Sequence, residues 1–181
     1  MRRLRAIILL IILLLILVLV FIYSGVYSVA ADYPDGPVAH WILDTTGDRS
    51  IKRHAASIKT PKLDDQAMIE NGFKLYREGC VECHGAPGVR AEPIAKGFNP
   101  DPPELTEEAG EWKPNELFWI TKHGIRMSAM PAWGVAHSDK EIWDIVAFVQ
   151  GLPSMSADEY KSMNEKFPPI EPQENQGLVE G

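Results

Sequence analysis

Cysteine is scarce in this chain, with only Cys80 and Cys83 among 181 residues. A four-thiolate metal site is therefore excluded. His40, His54, His123 and His137 do not pair at the spacing of a zinc site's histidine arm. The neighbourhood of the two cysteines lacks the strand-rich β-α-β pattern that a thioredoxin-like redox pair needs. No internal repeat is present. Acidic residues are missing from the first 31 positions, where Arg2, Arg3 and Arg5 carry all the charge.

From Ala6 to Tyr23 the chain has no charge and no strong polar group, and apolar character continues with interruptions to Val29. About 20 such residues span a bilayer as a helix. The three arginines on one side, with Asp32 and Asp35 beyond, put the N-terminus in the cytoplasm by the positive-inside rule. A cleaved secretory signal is the rival, with Val29-Ala30-Ala31 as its cleavage site. The apolar run is longer than a signal core, and Tyr23 and Tyr27 sit where interfacial aromatics belong, so a retained anchor is favoured. Both readings export the rest of the chain. From Asp32 onward, 15 Lys and Arg face 25 Asp and Glu, a formal charge of −10. Such a surface is unsuited to nucleic acid. It suits a basic docking patch on a redox partner, or simply a solvated exterior.

Both cysteines fall in Cys80-Val81-Glu82-Cys83-His84, a C-x-x-C-H motif of c-type haem attachment. The chemistry needs this spacing: two thiols add across the two vinyl groups of one porphyrin. The adjacent imidazole of His84 is then placed to bind the iron.

The chain divides into a cytoplasmic stub at 1–5, an anchor at 6–29 and a connecting segment at 30–63. A haem domain at 64–152 and an acidic, proline-rich tail at 153–181 complete it. In the connector, Pro34, Gly36, Pro37 and Pro61 break structure, and Trp41-Ile42-Leu43 is a short apolar patch. The basic stretch Arg49 to Lys59 suits one short helix, placed either on the membrane surface or on the haem domain. Asp64 or Asp65 caps the first core helix, whose stripe is Ile69, Phe73 and Tyr76. Gly72 within it points to a close helix–helix contact. Gly85 to Pro103 reads as loop. Pro114 to His123 forms a second helix stopped by Gly124. Ser138 to Glu141 is a capping box for a third, with Ile142, Ile145, Val146 and Val149 on its apolar face and an end at Gly151 and Pro153. Ser156 to Glu159 begins one more short helix. From Phe167 onward the composition is that of a disordered tail.

Between the second and third helices lies Gly124-Ile125-Arg126-Met127-Ser128-Ala129-Met130-Pro131-Ala132-Trp133-Gly134. A thioether as sixth ligand stabilises ferrous iron. Methionines usually fill cores, but this Met-x-x-Met lies in a loop rather than along an apolar face. Met130, stiffened by Pro131, is the first choice and Met127 the second. His123 is the alternative distal ligand, but at a helix C-terminus the free carbonyls and dipole are enough to account for it.

The Cys80–His84 motif, the Met130–Gly134 loop and the final helix from Trp143 to Phe148 together resemble the class I monohaem cytochrome c family, in its membrane-anchored bacterial form. The pair Gly72 and Tyr76, four apart, is similar to that family's first helix. The resemblance spans about residues 64 to 152. It implies an all-α fold of three to five helices around one covalent haem c, preceded by a transmembrane helix. It implies crossing first and last helices, with Phe148 or Trp143 as the aromatic at the contact. Haem attachment after export then puts the domain on the periplasmic side of the bacterial inner membrane. The resemblance also implies that Pro87 supports the proximal histidine, that Leu105 packs on the haem, and that Trp133 lines the methionine side.

The implied function is outer-sphere electron transfer by an electron carrier, not an enzyme, with His84 and Met130 as metal ligands. Its partners are the lipid bilayer and redox proteins: a quinol-oxidising complex, a dehydrogenase or a terminal oxidase. No nucleic acid and no small-molecule substrate enter. Two alternatives stand beside it. One is a fixed haem subunit of a larger respiratory or dehydrogenase complex. The other is a haem with a displaceable distal ligand, open to gas or peroxide.

Overall fold

Uninterrupted apolar sequence with no helix breaker forms one long helix, α1 (Arg2–Ser24), in the computed structural model. Residues 1–33 and 35–169 are described; Pro34 and the proline- and glutamate-rich end of the tail lie outside the described residues. Every residue of α1 is exposed, so none is spent on a protein core. Its 23 residues extend roughly 34 Å, enough for a hydrocarbon layer of about 30 Å. The helix stops at Gly25, whose φ of 65° is the left-handed turn that glycine adopts freely. Tyr27 then donates to Asp35 at 2.6 Å, tying off the short segment beyond the helix. This unit, Met1–Asp35, is one of two compact units in the chain.

The second unit begins at Gly36 and is helical, with no strand among the described residues. Its elements are α2 (Pro37–Ala55), α3 (Gln66–Gly79), α4 (Val81–His84), α5 (Leu105–Glu108), α6 (Pro114–His123), α7 (Asp139–Gly151) and α8 (Ala157–Lys166). The centre is the crossing of α3 and α7. Gly72 makes it possible: a Cβ there would overlap the Asp144 carbonyl and lie 3.0 Å from Phe148 Cβ. Phe73 and Tyr76 then meet the Phe148 ring at centroid distances of 5.6 and 5.3 Å. All three are fully buried. Phe148 is thus the aromatic of the crossing, while Trp143 turns away and stacks on Phe118 at 4.2 Å. Asp144, buried at the same contact, accepts from Asn71 at 2.7 Å and from Lys140 at 2.8 Å through one oxygen.

The caps follow the sequence chemistry. Asp65 accepts from the Ala67 N–H at 2.8 Å to start α3. Ser138 and Glu141 form the reciprocal box of α7, and Ser156 and Glu159 repeat it for α8. Two flanking helices extend the core. The stretch read as a connector contains the 19-residue α2, longer than the short helix expected there. Its last turns bury Ile51 and Ala55, and Asn115 of α6 donates to the Ala55 carbonyl at 2.9 Å. At the other end, Tyr160 of α8 is buried against Phe73 at 5.5 Å. Arg77 donates to the Phe167 carbonyl, and Lys166 pairs with Glu70 at 2.6 Å.

Candidate haem site

Helix α3 delivers Cys80 at its C-terminal cap, and the single turn of α4 carries Cys83 and His84 onward. Cys80 is buried and Cys83 half-buried. Burial pushes the Cys80 thiol up to about 12, with the neighbouring Cys83 adding to the rise. The turn is closed by backbone bonds from Cys83 and His84 to the Cys80 carbonyl, at 3.1 and 2.9 Å.

The His84 ring is fixed from outside its own helix. Its Nδ1 lies 2.9 Å from the Pro103 carbonyl, so Nδ1–H donates there and Nε2 keeps its lone pair free. Burial holds this imidazole below its ordinary pKa. The Pro103 bond and the Glu108 carboxylate offset part of that fall. A neutral ring with a free Nε2 is the form that binds a metal. Leu105 opens the short α5 just beyond and is half-buried against the core. On the other side, the Tyr76 hydroxyl donates to the Gly85 carbonyl at 2.6 Å, securing the residue directly after His84. Burial drives that phenol's pKa well above the usual tyrosine range. Pro87 is buried in the turn beyond, beside a cleft of about 370 Å³ that His84, Val89, Glu104 and Met155 also line.

The methionine loop reaches the same region through Trp133 and closes on itself at Gly124. Gly79, immediately before Cys80, has no Cβ because the six-membered ring of Trp133 occupies that space. Gly124, with a φ of 64°, lies so close to Met130 and Pro131 that a Cβ would come within 2.7 Å of the Met130 carbonyl oxygen. Between them the loop is pinned. Ile125 N–H donates to the Met130 carbonyl at 3.2 Å, and Met130 N–H donates to the Ser128 hydroxyl at 3.1 Å. Ser128 in turn donates to the Ile125 carbonyl at 2.9 Å. Met130 is half-buried, whereas Met127 is 79% exposed. His123 ends α6 in an exposed position, 5.2 Å from the Trp119 ring.

The structure therefore gathers the C-x-x-C-H turn, Pro87, Leu105 and Trp133 with its loop around one region. Sequence reasoning passed over the Pro103 carbonyl, the Tyr76 hydroxyl, Gly79 and Ser128. The signal for Tyr76 was available: a phenol in a buried stripe needs an acceptor, which phenylalanine would not. The donor set is two thiols, one neutral imidazole and one thioether on a braced loop. That set fits a haem attached through both cysteines.

Residues 67–149 match the family model described as cytochrome c oxidase, cbb3-type, subunit III. No curated protein matches the chain.

Proposed function

We propose, for a chain whose residues 67–149 form a class I c-type cytochrome domain with covalent haem c, a tethered one-electron relay with His84 and Met130 as the iron's ligands. Haem supplies the exchange of a single electron at the porphyrin edge, without bond rearrangement in the protein. Cys80 and Cys83 hold the group permanently. His84 presents Nε2, oriented by its Nδ1 bond to Pro103. Met130 brings a thioether on a loop whose backbone is braced by Gly124, Ser128 and Ile125. The remaining side chains keep water out and the ligands still, which is what an outer-sphere carrier requires of its protein.

One observation carries the reading: the Trp133 ring fills the Cβ space of Gly79, bringing the methionine loop against the residue before Cys80. The apolar α1, with Arg2, Arg3 and Arg5 at its start, supports a single-pass tether with the haem domain on the periplasmic side. Tethering raises the relay's effective concentration near membrane-bound donors and acceptors. The test is the ferric spectrum and the potential. Met130→Ala abolishes the weak far-red sulfur-to-iron band that marks this family and lowers the potential, while Met127→Ala leaves both in place. The reverse pattern moves the ligand to Met127. Immediate cyanide binding by the unaltered protein would sink the closed-site reading.

A second reading, a fixed subunit of an oxidase, is favoured by the description of the matching family. Isolation in mild detergent separates the two. A single haem band at monomer size supports the free carrier, and comigration with an oxygen-reactive complex supports the subunit.

A further inference from the structure

We propose that the outward face of α2 is a docking surface for an anionic phospholipid membrane, an inference that rests on reading α1 as a retained anchor. Helix α2 has two dissimilar faces. Its domain-facing side is spent in the last turns, where Ile51 and Ala55 are buried against α6. At about 3.6 residues per turn, Val38, Ile42, Thr45, Arg49 and Arg53 line the opposite side, with Trp41 on its flank. Val38, Trp41 and Ile42 are large apolar side chains left in the open, with exposures of 68%, 66% and 48%. A tryptophan this exposed is unusual here, since Trp112, Trp119, Trp133 and Trp143 are all half-buried in the haem domain.

Two further features name the occupant. The outward side is apolar over the first two turns and basic over the next two, so one side of the helix offers apolar side chains to the acyl boundary and arginines to anionic headgroups. Arg49 and Arg53 stand out in a chain that is formally −10 from Asp32 onward. A generally acidic surface would be repelled by anionic headgroups, and these arginines are where it is not. The position in the chain agrees. Only residues 25–36 separate the end of α1 from the start of α2, so the apolar turns follow the anchor closely along the chain. Tryptophan at a bilayer interface sets its ring among the headgroups with its apolar body toward the acyl chains, and Trp41 is free to do so. One end of α2 is thus packed on protein while the other is left for lipid.

The thioether links consume both native thiols in the holoprotein, so a single introduced cysteine takes a nitroxide label uniquely. Ile42→Cys and Lys161→Cys, the latter on the solvent side of α8, are labelled in the full-length holoprotein and reconstituted in phosphatidylcholine vesicles containing phosphatidylglycerol. Collision with oxygen and with a polar nickel chelate is then read by power saturation. At position 42 docking gives high oxygen and low nickel accessibility, and at position 161 the reverse. Adding Arg49→Glu and Arg53→Glu shifts position 42 toward the aqueous pattern. If position 42 reads like position 161 while the protein resists alkaline stripping, docking is refuted and the anchor stands. Low accessibility to both reagents means the face is covered by protein, a second copy, and refutes lipid as the occupant. Stripping of the holoprotein by alkali removes the anchor and the proposal together.

Discussion

Replacing Gly72 by alanine sets a small, known gain against a larger cost. The gain is helix propensity, since alanine improves a mid-helix glycine by about 1 kcal/mol. The cost is steric. The new methyl overlaps the carbonyl oxygen and carbon of Asp144 and sits 3.0 Å from Phe148 Cβ. Overpacking in a core typically costs about 1–3 kcal/mol, and more where the obstacle cannot rotate away. Here the obstacle is the backbone of α7, so the helices must part. Parting them loosens the contacts of Phe73 and Tyr76 with Phe148, whose burial is complete. The net expectation is a loss of about 2 kcal/mol or more. Gly151→Ala provides the control, because a Cβ at the end of α7 meets nothing within 4 Å. It should be neutral or stabilising by a few tenths of a kcal/mol. Guanidinium unfolding of the full-length holoprotein in mild detergent, followed by tryptophan emission, measures both. Gly72→Ala matching Gly151→Ala in midpoint would mean the crossing is not set by that glycine, and the steric argument would fall.

Tyr76→Phe leaves the buried Gly85 carbonyl without its 2.6 Å donor and should cost about 1–3 kcal/mol in the same titration. Gly124→Ala combines a φ of 64° with overlap at the Met130 carbonyl, so the loop shifts. A weakened sulfur-to-iron band and a lower Tm are the readouts. Glu141 and Glu159 are held below the ordinary glutamate value of 4.5 by hydrogen bonds from Ser138 and Ser156. A carboxylate whose folded pKa is lowered stabilises fully above its unfolded pKa and loses that contribution as pH falls through the folded value. The double variant Glu141→Gln, Glu159→Gln should therefore lose less stability between about pH 6 and about pH 3 than the unaltered chain, as thermal melts would show. An identical acid slope would remove the capping carboxylates from the account.

What the sequence made legible has a physical pattern. Local signals were strong wherever a few adjacent residues decide the outcome. Pro114 and Gly124 bound α6 as expected, and Ser138 with Glu141 starts α7. The spacing of Cys80, Cys83 and His84 sufficed for haem c, and the family match agrees. Gly72 disclosed a close contact but not which aromatic met it, because Phe148 and Trp143 differ only in the side of α7 they occupy. The Pro103 bond to His84 was invisible because it joins residues 19 apart through a backbone carbonyl, which no residue type announces. Helix α2 was underestimated for a similar reason. Its burial comes from Ile51 and Ala55 meeting α6 far along the chain, not from any stripe running its whole length.

The flanking helices change how the site's rigidity should be understood. Residues 67–149 contain the haem motif and the methionine loop, yet the aromatic cluster behind Cys80 does not end there. Tyr160 of α8 packs edge-on against Phe73, and the Phe167 ring lies 6.2 Å from the same residue. Arg77, one residue past Tyr76 on α3, is held at its head by the Phe167 carbonyl and stacks on Phe73 at 5.1 Å. Helix α3 is therefore braced along two sides, by α7 across Gly72 and by α8 across Phe73. Tyr76 passes that bracing to the Gly85 carbonyl, directly after His84. A change at Tyr160 is thus connected to the residue beside the His84 imidazole through three buried aromatic contacts and one hydrogen bond, even though it lies outside the cytochrome domain's own span.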